Sequence, residues 1–363
     1  MLILLLTLIL ARPLVSSVTF DSLNYLYLCA LLLSLTGWII IKGLDTTRIK
    51  SLRLPILTLV AGLLLSFLLS KRKLISAYEL SYYYTGILMM CIVPSLSESG
   101  RKRLIACILF SGLAVSILAI YQYFFVFARL ERYIVSQRIT DGFVLDYVRR
   151  RRVFFPFVTP NVLAGFLAMV IPLALIKKKY VFCLLPLGAA LILTQSLGAL
   201  FSLFLAFVFY FFLSGKLGKK SFILGGIFLL LVLIVISRFS MAGAHSHPNF
   251  STIMRLRYWQ DTFAVILKSP MAGTGMGNFN LAYSRFTHNS YLQFWAENGI
   301  ISLAAILWLC GAIIGKRIKS KLSPEYLALL TANAAFILHN AIDFTFFLPE
   351  VSLAWWALLG LLI

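Results

Sequence analysis

At 363 residues, 61% hydrophobic and only 12% charged, with a mean hydropathy of +0.94, the chain is too apolar for a soluble globular domain and reads as a polytopic membrane protein. Its 33 Lys and Arg against 12 Asp and Glu give a formal charge of +21, which in such a chain points to membrane topology and anionic lipids rather than nucleic acid. Cys29, Cys91, Cys107, Cys183 and Cys310 all sit in apolar runs without CxxC spacing, arguing for packing residues rather than disulfides or metal ligands.

A helix needs about 20 apolar residues to cross a bilayer. The N-terminal MLILLLTLILARP lacks a basic leader and a small-residue cleavage site, so a retained first helix is expected over 2–18. Further spans follow over 22–41, 54–70, 75–94, 103–127, 154–176, 180–194, 198–214, 221–237, 289–314, 323–341 and 349–363. The expected fold class is thus an all-α polytopic membrane protein with about twelve spans. Spans 7 and 8 are short and meet at Thr194-Gln195-Ser196-Leu197-Gly198, a polar break of the kind that lines a cavity. Connections after spans 2, 4, 6, 8 and 10 carry seventeen cations, whereas the short opposite loops carry only Lys71, Arg72 and Lys73. By the positive-inside rule both termini are cytoplasmic.

Two long loops then fall on the outer side, near 128–153 and between spans 9 and 10 over 238–288. They hold Arg129, Arg132, Arg138, Arg149, Arg150, Arg151, Arg152, Arg238, Arg255, Arg257 and Arg285 but one lysine, Lys268. Arginine is preferred where a planar fork must hold phosphate oxygens. The acids expected on that side are Asp21, Glu131, Asp141, Asp146, Asp261 and Glu350, with no D-x-D or HExxH pattern, so no metal is expected and arginine would neutralise a diphosphate. His245 and His247, in AGAHSHPNF, have no nearby carboxylate and are weak evidence for a metal.

The densest polar stretch is RFTHNSYLQFWAENG, Arg285 to Gly299, at the head of span 10. Thr287 can cap the helix that follows, placing His288 at a positively polarised N-terminus where a neutral imidazole, a competent general base, is favoured. Asn289, Gln293 and Glu297 recur every four residues and form a polar stripe. An ionisable residue at that depth serves either catalysis or a polar tie to another span, and span 11, with Asn333, Asn340 and Asp343, offers partners.

These residues resemble the O-antigen ligase and polymerase superfamily of bacterial membrane glycosyltransferases. The resemblance rests on Arg255-x-x-x-Trp259, on SPMAGTGMGNF from Ser269 to Phe279, and on His288-Asn289-x-Tyr291-Leu292-Gln293 with Glu297-x-Gly299. Arg152 with Thr159-Pro160-Asn161, and Ala332-Asn333 followed by His339 and Asp343, support it. One departure is Ser196-Leu197-Gly198, where the family often has Ser-Arg-Gly; Arg152 or Arg257 could supply the missing cation. The resemblance implies an N-terminal bundle over 1–153 and a ligase-like domain over 154–363. It implies transfer of a glycan from undecaprenyl diphosphate, at the outer face of the inner membrane, to lipid A core or to a second glycan, with inversion and no cofactor. His288 and Glu297 are the implied catalytic residues, and Arg255, Arg152, Arg285, Arg257 and Asn289 the substrate-binding ones. An anion transporter of the same superfamily is the alternative of a different class.

Overall fold

The computed structural model describes residues 1–140, 142–216, 218, 225, 226, 228–230, 232, 233 and 250–363. Arg238, His245 and His247, at the start of the large loop, lie outside the described residues. The helices are α1 (Leu2–Ala11), α2 (Asp21–Lys42), α3 (Thr46–Ile49), α4 (Arg53–Leu69), α5 (Lys73–Ile92), α6 (Glu98–Tyr121), α7 (Phe127–Ser136) and α8 (Gly142–Arg149). They continue as α9 (Pro160–Val170), α10 (Leu184–Thr194), α11 (Leu197–Leu213), α12 (Phe250–Lys268), α13 (Ser290–Ile318), α14 (Pro324–His339) and α15 (Pro349–Gly360). Among the described residues the named elements are all helical.

Local chemistry explains several boundaries. Ser97, Thr159 and Ser323 cap α6, α9 and α14 with their side-chain oxygens, and Pro160 and Pro324 occupy first-turn positions whose N–H would be unpaired anyway. Among the described residues four helices are long and apolar enough to cross a membrane: Ser22–Lys42, Thr46–Leu69, Glu98–Ser136 and Ser290–Ile318. The chain is therefore a membrane protein of the expected all-α class.

Two sequence-based boundaries change. The start of the loop expected from residue 128 is helical as far as Ser136, because α6 runs through a π-helical turn at Gln122–Val126 into α7. Arg129, Glu131 and Arg132 raise polarity there, but no Gly or Pro interrupts residues 122–140, so nothing breaks the backbone ladder. The expected last span is a helix of 12 residues, buried along its whole length. Surrounded by protein, it need not reach across the lipid itself.

The long helices pack in pairs, α4 along α13, α11 along α14, α15 against α5 and α10 against α6. One hydrophobic core runs from Leu5 to Leu362. Polar contacts at the helix ends join segments that the charge pattern assigns to the same side. Arg48 donates to the Pro94 carbonyl, Arg101 to that of Leu361 and Arg317 to that of Leu362. Among the segments expected on the other side, Arg12 pairs with Glu350, Arg285 with Glu79, and Asn278 donates to Ser70.

α13 is broken at Gly299, whose φ of 75° and ψ of 170° leave the helical region. The break frees carbonyls that membrane depth does not let stay unpaired. The glycine-rich loop after α12 supplies the partners: Thr274 N donates to the Ala296 carbonyl at 2.8 Å and Gly275 N to that of Glu297 at 3.0 Å. Ile300 N donates to the Pro270 carbonyl at 3.0 Å, and Ser66 on α4 donates to the Glu297 carbonyl at 2.9 Å. Gly273, Gly275 and Gly277 all have positive φ, and a Cβ at Gly299 would stand 1.9 Å from the Met271 carbonyl oxygen. Gly299→Ala is expected to destabilise the protein by about 2 kcal/mol or more, combining the left-handed penalty with forced separation of this splice. Thermal unfolding in detergent measures it; an unchanged midpoint contradicts the account.

Candidate functional site

His288 lies between α12 and α13, with φ of 52°, a left-handed conformation that histidine adopts more readily than most side chains. The cap of α13 is Asn289 rather than Thr287: its Oδ1 accepts from Tyr291 N at 3.0 Å and Leu292 N at 3.1 Å. Thr287 instead closes a small turn, accepting from Asn289 N and donating to the Asn289 carbonyl. The expected cap shifts by two residues because the turn at His288 redirects the chain before the helix begins.

α12 brings Arg255 and Tyr258 to this turn. Tyr258 stacks on the His288 ring at 5.7 Å, and Tyr283 stacks on Tyr258 at 5.4 Å. Phe344 meets the imidazole edge-on at 4.9 Å. The turn after α14 supplies Asp343, whose Oδ2 is 3.9 Å from Arg255 Nη2 and whose Oδ1 accepts from Phe344 N at 2.8 Å. Ser290 fastens α13 to the same turn, its N–H donating to the Asn340 and Asp343 carbonyls and its hydroxyl to Asn340 Oδ1 at 2.7 Å.

The cluster continues through His339, whose Nε2 lies 3.2 Å from the Asn161 carbonyl oxygen. Gly165 makes room for that ring, since a Cβ there would stand 2.3 Å from His339 Cδ2. Asn161 Oδ1 accepts from Arg152 Nη2 at 3.2 Å, and Arg152 Nε donates to the Thr194 carbonyl at 3.0 Å. Arg150 donates to Gln195 Oε1 and receives from Gln195 Nε2. Two arginines therefore reach the polar break beside Leu197. Arg257, the other cation named for that role, lies over the Tyr283 ring at 5.0 Å.

The Nδ1 atoms of His288 and His339, Asp343 Oδ2 and Arg255 Nε are buried without a hydrogen-bond partner. Each such group costs about 1 to 3 kcal/mol, and a concentration of them marks a site kept for something other than stability. Burial holds the His288 imidazole below the ordinary histidine range; the Asp343 carboxylate opposes that shift and the Arg255 guanidinium adds to it.

Glu297 is placed elsewhere. Its Oε2 accepts from Gly277 N at 3.0 Å and its Oε1 from Gln293 Nε2 at 3.0 Å, so it locks the glycine-rich loop onto the broken helix. The partner expected for it in span 11 is replaced by that loop, because the Gly299 break exposes donors and acceptors that only a nearby backbone can fill. Gln293 also accepts from Thr287 N at 3.2 Å, which connects the splice to the His288 turn. Arg285 pairs with Glu79 of α5 at 3.5 Å, in a neighbouring cleft. Sequence reasoning did not assign a site role to Tyr258, Arg150 or Glu79. Glu79 carried a usable signal as an acid inside an apolar run. Among the described residues no three of His, Cys, Asp and Glu stand together in a metal-binding group.

An all-helical membrane protein that gathers arginine, histidine and aspartate around buried, unpaired polar atoms at one end is the class defined by this geometry. Residues 181–307 match the family model described as O-antigen ligase. The match spans roughly a third of the chain and includes Arg255, Arg257, Arg285, His288, Asn289 and Glu297, whereas Arg152, His339 and Asp343 lie outside it. Comparison with curated proteins and with solved structures found no match.

Proposed function

We propose that the protein moves a glycan from undecaprenyl diphosphate to an acceptor hydroxyl, as an O-antigen ligase with lipid A core as acceptor, at the periplasmic face of the bacterial inner membrane. His288 takes the proton of the acceptor hydroxyl as its oxygen attacks the anomeric carbon. The bond from that carbon to the diphosphate breaks with inversion, and the diphosphate leaves as an anion held by Arg255 and Arg152. Charge on the leaving group is met by guanidinium groups, so no step calls on a metal. Asp343 orients Arg255 and stabilises the imidazolium that forms, while Glu297 and Asn289 hold the frame on which His288 turns. The observation that carries this reading is the convergence of Arg255, His288 and Asp343 from α12, the α12–α13 turn and the α14–α15 turn.

Deleting the gene and separating the envelope glycans on a gel tests it. Glycan missing from lipopolysaccharide, restored by the wild-type gene, is the expected outcome. Single repeat units on lipid A core would instead identify a polymerase, and an unchanged pattern would overturn transferase function.

A base whose pKa is held low works into mildly acidic solution. The acid limb of the rate profile is therefore expected below about pH 6.5, the ordinary histidine value. The stability sign runs the same way: the unfolded chain takes up a proton near pH 6.5 and the folded one only below it. The contribution is thus present above that pH and is lost as pH falls. Transfer rates and unfolding midpoints between pH 5 and 8 check both; an acid limb above 7 removes His288 from the role of base.

A further inference from the structure

α2 and α5 meet the turn before α15 in a polar cleft that no role above uses. Three small, partly open hollows there are each lined in part by Tyr82 and Pro349. At the base of the cleft Arg12 lies 3.7 Å from Glu350 and donates to Asn24 Oδ1 at 2.6 Å, with all three side chains buried. Asn24 Nδ2 donates in turn to the Tyr78 hydroxyl at 2.6 Å and to that of Tyr82. At the mouth Glu79 pairs with Arg285, and Tyr25 packs on Tyr78 at 4.3 Å. Glu350 Oε2 and the Tyr27 hydroxyl are buried without hydrogen-bond partners.

The charges in this recess cancel, since each carboxylate faces one guanidinium. An ionic ligand gains little from it. Aromatic faces beside carboxylate, amide and phenol groups instead suit a molecule with apolar C–H surfaces edged by hydroxyls, each hydroxyl both donating and accepting. That is a saccharide.

The recess also borders the proposed chemistry. Phe286 lines it and stacks on Phe344 at 4.1 Å, and Phe344 touches the His288 ring. Arg255 and Tyr258 approach the same imidazole from α12. An inverting displacement needs its two substrates on opposite faces of one carbon, so a second approach to His288 must exist. We propose that this cleft, with Glu79, Tyr78, Tyr82 and Arg285 at its mouth, binds the saccharide of the acceptor next to its reactive hydroxyl. The assignment rests on the transferase reading above, and Arg285 thereby moves from the diphosphate to the acceptor.

The test uses the full chain in detergent micelles and two probes by calorimetry: oligosaccharide released by mild acid from the host's envelope lipid, and farnesyl diphosphate. Glu79→Gln, and independently Tyr82→Phe, are expected to weaken oligosaccharide binding on the order of tenfold or more and leave farnesyl diphosphate unchanged. Arg255→Lys is expected to do the reverse. Oligosaccharide binding untouched by both cleft variants overturns the cleft, while loss of farnesyl diphosphate in Arg255→Lys still upholds the transferase site. Unchanged farnesyl diphosphate binding in Arg255→Lys, with the oligosaccharide still dependent on Glu79, overturns the diphosphate site and keeps a saccharide cleft. Failure of the wild-type protein to bind either probe overturns both. Tyr82→Phe removes only a hydroxyl, so a fold-competent variant remains even if Glu79→Gln disturbs α5.

Discussion

Arg255→Ala is expected to lower glycan transfer by about 100- to 1,000-fold, the usual consequence of removing one donor from a developing oxyanion. The geometry gives the reason. Arg255 Nη2 is 3.9 Å from Asp343, the guanidinium is partly open to the site, and its Nε is buried without a partner. Losing it removes the fork proposed for the diphosphate and also leaves the Asp343 carboxylate buried with only the Phe344 N–H. Arg255→Lys separates the two effects. It retains a cation for Asp343 but not the two parallel donors, so folding is expected to survive while transfer stays well below wild type. Transfer rates normalised to folded protein by size-exclusion profile decide the matter; wild-type activity in either variant removes Arg255 from the site.

His288→Asn is expected to reduce transfer about 100- to 10,000-fold, the range for loss of a general base. Asparagine is the informative replacement because it tolerates the left-handed backbone that His288 adopts, whereas alanine adds a conformational penalty to the chemical one. The Tyr258 and Phe344 contacts are weakened by the same change, so the unfolding midpoint should fall only modestly. Residual transfer that keeps the wild-type acid limb would show that another group takes the proton. His339, buried between Asn161 and Asp343, is the first to examine in that case.

The residues named in advance meet different fates for a common reason. Arg255, His288, Asp343 and Arg152 carry local signals: they are ionisable groups beside helix ends or in Arg-rich loops of an apolar chain, positions that membrane burial makes costly unless a site uses them. The structure pairs Arg255 with Asp343 and Arg152 with Asn161. Glu297 carried the same signal and went to the Gly299 splice, because periodicity along one helix cannot reveal a break that a loop repairs. Glu79 and Arg285, like Arg12 and Glu350, are far apart in the chain, and neither has a pattern that names its partner.

The amino-acid sequence by itself determined the membrane class, the all-helical architecture, the segregation of cations and the head of α13 as the polar centre. Those follow from composition and from the need of backbone groups to be paired within lipid. Only the tertiary structure decided that α6 runs on into the expected loop as far as Ser136, that the glycine-rich segment mends α13, that Asp343 meets Arg255, and that Asn161 meets both His339 and Arg152. Each of these depends on which distant helices pack together, and that is set by the shapes of whole apolar faces rather than by any local run of residues.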